Sequence, residues 1–99
     1  MEFEYDLSKS TSNKVKHGID FEEAQALWNG PVAIAPLGSG HGEERQAVFG
    51  MIDGKHWTAI VTMRGDAVRL ISVRRSREKE EAFYDGEETD WRRGVRPGL

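Results

Sequence analysis

Four arginines within a short stretch, Arg64, Arg74, Arg75 and Arg77, are the residues whose types and spacing most clearly point to chemistry. Guanidinium groups packed this closely repel one another, so they call for an anionic group to receive them. Their planar forks match phosphate oxygens two at a time, which makes phosphate the natural ligand. The ordinary alternative is a surface pair with a glutamate of the segment that follows, an interaction that contributes little when exposed. The charge pattern localises the effect. From Arg64 to Arg77 five arginines, Arg69 included, face only Asp66, whereas Glu78, Glu80, Glu81, Asp85, Glu87, Glu88 and Asp90 then face only Lys79.

A second group is Lys16-His17, just before Gly18. Both suit the negative end of a helix, and an imidazole also gives and takes protons near neutral pH. Glu43-Glu44 beside Arg45 is either a solvated loop pair or a source of a general base. His41 and His56 have no second histidine or carboxylate at ligand spacing and the chain has no cysteine, so neither a metal site nor any other cofactor is expected.

These residues need elements to hold them. Val68 to Arg75 alternates as a strand does, with Val68, Leu70, Ser72 and Arg74 on one face and Arg69, Ile71, Val73 and Arg75 on the other. Before it come strands from Arg45 to about Ile52 and from about His56 to Met63. Turns at Asp53-Gly54 and Arg64-Gly65-Asp66 join the three into an antiparallel meander. A straight strand would put Arg64 well over ~20 Å from Arg74, so a single phosphate receives Arg64, Arg74 and Arg75 together only if the sheet coils strongly. Ser76 is placed to cap a helix over 77–85 that returns Phe83 and Tyr84 to the sheet.

Towards the N-terminus, residues 2–5 alternate charge and aromatic, the pattern of a short strand with Phe3 and Tyr5 inward. Asp6-Leu7-Ser8 offers capping oxygens for a first helix over 9–17, with Leu7, Thr11 and Val15 four apart and Gly18 as its stop. Asp20 with Glu23 opens a second helix, with Phe21, Ala24, Leu27 and Trp28 on one face until Gly30-Pro31. Residues 32–36 read as a strand. The glycine-rich loop after it has neither of the common nucleotide-loop spacings.

The chain of 99 residues, with 37% hydrophobic content and three tryptophans, suits one small domain. We place that domain at 1–86 and a flexible tail at 87–99. No run is long and apolar enough for a membrane span, and the polar N-terminus does not resemble a signal peptide, which predicts a cytoplasmic protein. The net charge of −3 argues against indiscriminate nucleic-acid binding, but the local basic cluster matters more than the sum.

Taken together, F-E-Y-D at 3–6, N-K-V-K-H-G-I at 13–19, F-E-E-A at 21–24, E-E-R at 43–45, T-M-R-G at 62–65 and R-L-I-S-V-R-R at 69–75 resemble the BrnT family of ribonuclease toxins. The resemblance runs from about Phe3 to Tyr84. It implies a compact RelE-like α+β fold, with two N-terminal helices and one C-terminal helix on an antiparallel sheet. It also implies metal-independent RNA cleavage and neutralisation by a BrnA-like antitoxin that binds operator DNA. Position by position it marks His17, Glu44, Arg64, Arg74 and Arg75 as catalytic, and Lys16 and Tyr84 as substrate-binding. To the latter the charge pattern adds Arg69 and Arg77. Val73, Ser76 and Trp28-Asn29 depart from the family pattern without removing a charge. The rival reading is a non-catalytic RNA-binding or protein-interaction module that uses the same basic strand end.

Overall fold

The computed structural model describes residues 1–39 and 42–87; His41 and the expected tail from residue 88 onward lie outside the described residues. The elements are β1 (Glu2–Glu4), α1 (Leu7–His17), a 3-10 helix (Glu23–Asn29), β2 (Ala33–Gly38), β3 (Arg45–Ile52), β4 (Lys55–Arg64), β5 (Ala67–Arg75) and α2 (Glu78–Tyr84). They build one five-stranded sheet in the order β1-β5-β4-β3-β2. The chain is α+β, but two of the expectations above need correction.

The first concerns the sheet, which is mixed. Strands β2 to β5 form the antiparallel meander, while β1 pairs parallel to β5 with Phe3 opposite Val68. Parallel pairing needs a long connection, and here everything between Tyr5 and Asp66 supplies it. The second concerns the helices, because only α1 is an α-helix before the sheet. Asp20 and Glu23 do exchange the expected capping bonds, Glu23 N to Asp20 Oδ1 at 2.7 Å and Asp20 N to Glu23 Oε1 at 3.0 Å. The segment then winds more tightly, as a 3-10 helix. Its buried residues Ala24 and Leu27, and Phe21 just before it, are three apart, a spacing that stacks side chains at three residues per turn.

The main core lies between one sheet face and these N-terminal segments. Val48, Ala59, Val61, Val68, Leu70 and Val73 pack against Ile19, Phe21, Ala24 and Leu27. On the other face, Ala35, Ala47 and Phe49 meet Phe83 and Tyr84 near α2. The Asp53-Gly54 turn has both residues at positive φ, 51° and 76°, the geometry that lets a two-residue hairpin follow the strand twist. Helix α2 starts at Glu78 with Arg77 as its cap residue; Ser76 instead bonds Thr58 through its hydroxyl at 2.8 Å.

Two local features differ from the simple sequence pattern. In α1 the expected apolar stripe faces outward, with Leu7 76% and Val15 84% exposed, and the buried residues are Ser10 and Asn13. The reason is what the helix packs on: the outer edge of β5, which β1 pairs only as far as Arg69. Asn13 Nδ2 donates to the Val73 carbonyl at 2.8 Å and its Oδ1 accepts the Val73 N–H at 3.2 Å, so a side-chain amide replaces the missing strand. In β5 itself, Ile60 opposes Ser72 while Val61 opposes Leu70, leaving Ile71 as an extra residue. This bulge resets the alternation. Val68, Leu70, Val73 and Arg75 share the core face, and Arg69, Ser72 and Arg74 the other.

Candidate functional site

The arginines of the β5 end divide by what already holds them. Arg74 Nη1 and Nη2 each donate to a different oxygen of Glu80 at 2.8 Å. Glu80 also accepts the Thr58 hydroxyl at 3.0 Å and the Arg77 N–H at 2.8 Å, and is 3% exposed. Burial alone would raise the Glu80 carboxyl, but the Arg74 guanidinium, the Arg77 N–H and the Thr58 hydroxyl outweigh it and hold the group below the usual carboxylate range. The guanidinium of Arg74 is thus committed to the frame that docks α2. Arg75 lies on the opposite face over the Trp57 ring, 5.6 Å from its centroid. Among the described residues only its Nε is engaged, donating to the His56 carbonyl at 3.3 Å, and both Nη groups are without a hydrogen-bond partner there. Arg77 is exposed beside them.

Tyr84 donates its hydroxyl to the Pro31 carbonyl at 2.9 Å and meets the His56 ring edge to face at 5.7 Å. His56 Nε2 is hydrogen-bonded with Asp85 Oδ1 at 3.0 Å, with Glu81 3.8 Å from Nδ1. This cluster ties α2 to the start of β4. Among the described residues no three His, Asp or Glu side chains gather as metal ligands.

Arg64 is at the other end of the meander. It opposes Ala67, whereas Arg75 opposes Trp57, seven residues earlier on β4. At ~3.3 Å per residue that is about 23 Å, and the two side chains project from opposite faces. They do not share a ligand. Arg64 instead joins Glu44, Glu43 and Thr62 around a depression of about 310 Å³. Arg69, on the open face, is 3.7 Å from Glu4.

Lys16 and His17 come together with residues the sequence pattern did not single out. A depression of about 210 Å³ lies between α1 and the bulged edge of β5, lined by Lys9, Ser12, Asn13, Lys16, His17, Ile71 and Ser72. None of these described lining residues is a carboxylate. The Lys9, Lys16 and His17 side chains make no hydrogen bond or ion pair with any described residue. The signal was present in the spacing: Lys9, Ser12, Asn13 and Lys16 stand at i, i+3, i+4 and i+7 and so share one helix face. A search for apolar periodicity passes over a polar face that lines a groove.

The described residues form a small mixed-sheet α+β domain with basic side chains along the outer edge of β5. Residues 5–80 match the family model described as the ribonuclease toxin, BrnT, of type II toxin-antitoxin system, and the chain belongs to that family. The match spans the α1 groove, Glu44, Arg64 and the β5 arginines, and stops before Tyr84. No curated protein matches the chain. Membership makes the chain a ribonuclease toxin and implies an antitoxin partner. No helix among the described residues is long and apolar enough to cross a membrane.

Proposed function

We propose that the chain is an endoribonuclease that cuts RNA without a metal ion, in the groove between α1 and the outer edge of β5. The observation that carries this reading is the make-up of that groove: Lys9, Lys16 and His17, without a side-chain hydrogen bond or ion pair among the described residues, with the Ser12 and Ser72 hydroxyls and no carboxylate among its described lining residues. Metal-free cleavage needs three things that these groups supply. His17 takes the proton of the ribose 2′-hydroxyl as that oxygen attacks the adjacent phosphorus. The lysine ammonium groups stabilise the added negative charge on the phosphoryl oxygens. As the bond from phosphorus to the 5′-oxygen breaks, the proton passes from the imidazolium to that oxygen, leaving a 2′,3′-cyclic phosphate and a free 5′-hydroxyl. Arg75, beyond Val73 on the same strand with neither Nη hydrogen-bonded to a described residue, adds a further cation. Glu44 and Arg64, toward the other end of the sheet, contact the RNA backbone beyond the scissile phosphate.

This reading takes residues 1–86 as a RelE-like toxin domain acting in the cytoplasm. A BrnA-like antitoxin, bound to operator DNA, blocks it in a hetero-oligomer. The test is to incubate the purified, partner-free chain with RNA in EDTA and examine the new ends. Cyclic phosphate and 5′-hydroxyl termini are expected. RNA that is bound but left intact would replace the proposal with the non-catalytic module.

A further inference from the structure

We infer that Arg45, Arg64 and Arg69, grouped around Thr62 on the open half of the sheet, form a second phosphate-binding row that holds the RNA backbone next to the cut. The inference deepens the proposed function and rests on it for the identity of the polymer. The strand register places the three. Thr62 opposes Arg69 on one side. On the other, Gln46 opposes Val61, so the preceding residue, Arg45, stands beside Thr62. Arg64 follows two residues on, on the same face. With neighbouring strands ~4.8 Å apart, the row from Arg45 to Arg69 spans about 10 Å.

This half of the face is free of α2, whose Phe83 packs on Phe49 further along β3. The arginine side chains are 27% (Arg45), 52% (Arg64) and 32% (Arg69) exposed. Each guanidinium is in a long ion pair with a carboxylate. Glu43 is 3.8 Å from Arg45 and 3.7 Å from Arg64, and Glu4 is 3.7 Å from Arg69. These separations exceed a hydrogen bond, in contrast to the paired 2.8 Å bonds of Arg74. Arg45 Nε is buried and has no hydrogen-bond partner among the described residues. The partly exposed guanidinium groups, held only by these long ion pairs, can turn to an incoming phosphate.

The row is continuous with the cleavage groove. Ser72, which lines the groove, opposes Ile60, and Arg69 opposes Thr62. The two therefore lie on one face, about 7 Å apart along the strand, a gap that one extended nucleotide bridges. This continuity is what favours a nucleic-acid backbone over an acidic protein partner.

The probe is a 2′-O-methyl RNA oligonucleotide, which lacks the attacking hydroxyl and cannot be cut, used at lengths of two and eight nucleotides. Fluorescence anisotropy at several salt concentrations measures binding to the full chain. The octamer should bind more tightly than the dimer. In the triple variant Arg45→Gln, Arg64→Gln, Arg69→Gln that advantage should collapse, with the log–log salt slope shallower by about 2, since each single-strand phosphate contact contributes roughly 0.7. Lysine at the three positions should retain most of the slope. If the triple variant does not fold, Arg64→Gln alone should lower the slope by about 0.7. Unchanged octamer binding by the folded variant overturns the row, as does loss of antitoxin binding with RNA binding intact. If the wild-type chain fails to cut RNA yet the length advantage depends on these arginines, the row stands and the cleavage proposal falls.

Discussion

Arg74 and Glu80 meet through two parallel hydrogen bonds of 2.8 Å each, one from each Nη to a different carboxylate oxygen. That pair, with Thr58 and the Arg77 N–H on the same carboxylate, anchors α2 to β4 and β5. Breaking a buried pair from one side leaves an uncompensated charge. Arg74→Met, which leaves the buried Glu80 carboxylate without its cation, should therefore destabilise the fold by about 3 kcal/mol in urea unfolding, and Glu80→Ala by less because the Arg74 it leaves behind reaches solvent. A loss below about 0.5 kcal/mol in both, typical of an exposed pair, would show that the network does not hold α2.

The same carboxylate makes stability pH-dependent. Its folded pKa lies below the ordinary value of 4.5, so it stabilises the fold fully above that value and loses the contribution as pH falls through the folded pKa. Melting temperatures taken downward from pH 6 should fall below pH 4.5, and Glu80→Gln should flatten that part of the curve. An identical acid profile in the variant would assign the loss to other groups.

Asn13 stands in for a strand at the β5 edge, and its amide also donates to the Ile19 carbonyl at 2.8 Å. Asn13→Leu leaves the Val73 N–H and C=O and the Ile19 carbonyl without these partners. At roughly 1–3 kcal/mol for an unsatisfied buried group, the variant should lose about 2–4 kcal/mol, measured by denaturant midpoint. Amide exchange at Val73 should accelerate as well. Unchanged protection there would mean that the edge is closed by something other than Asn13.

Arg75 offers a test of geometry against field. Lysine keeps the charge but not the planar fork, and alanine removes both. If the open Nη groups bind the reacting phosphate, both variants lose most cleavage, while the melting temperature moves little, the Trp57 stacking being worth about 0.5–1 kcal/mol at an exposed site. Full activity of a folded Arg75→Ala chain would remove Arg75 from the site.

Much of the sheet is legible in the sequence because alternation and two tight turns are local signals. The β3–β5 meander, the Asp53-Gly54 hairpin and the Gly18 stop of α1 all follow from neighbours in the chain. What escapes is set by distant partners. The parallel seat of β1 on β5 depends on an edge formed some sixty residues away. The polar burial of Ser10 and Asn13 makes sense only once that edge lacks a strand, and so do the outward positions of Leu7 and Val15. The Ile71 bulge leaves no mark in composition, yet it turns Ser72 and Arg74 to the face of Arg69 and puts Arg75 on the other. Lys16 and His17 were visible as a pair, but their companions Lys9 and Ser72 were not, because a groove between helix and strand has no sequence spacing of its own.

The cleavage rate of His17→Gln relative to the wild-type chain, on the same RNA in EDTA, tests the central claim most directly. A positioned acid-base group contributes about 10² to 10⁴ in rate, so the account predicts a loss of that order with the melting temperature nearly unchanged. A folded His17→Gln chain that cuts RNA within about twofold of wild type, far short of the loss expected for such a group, would contradict it.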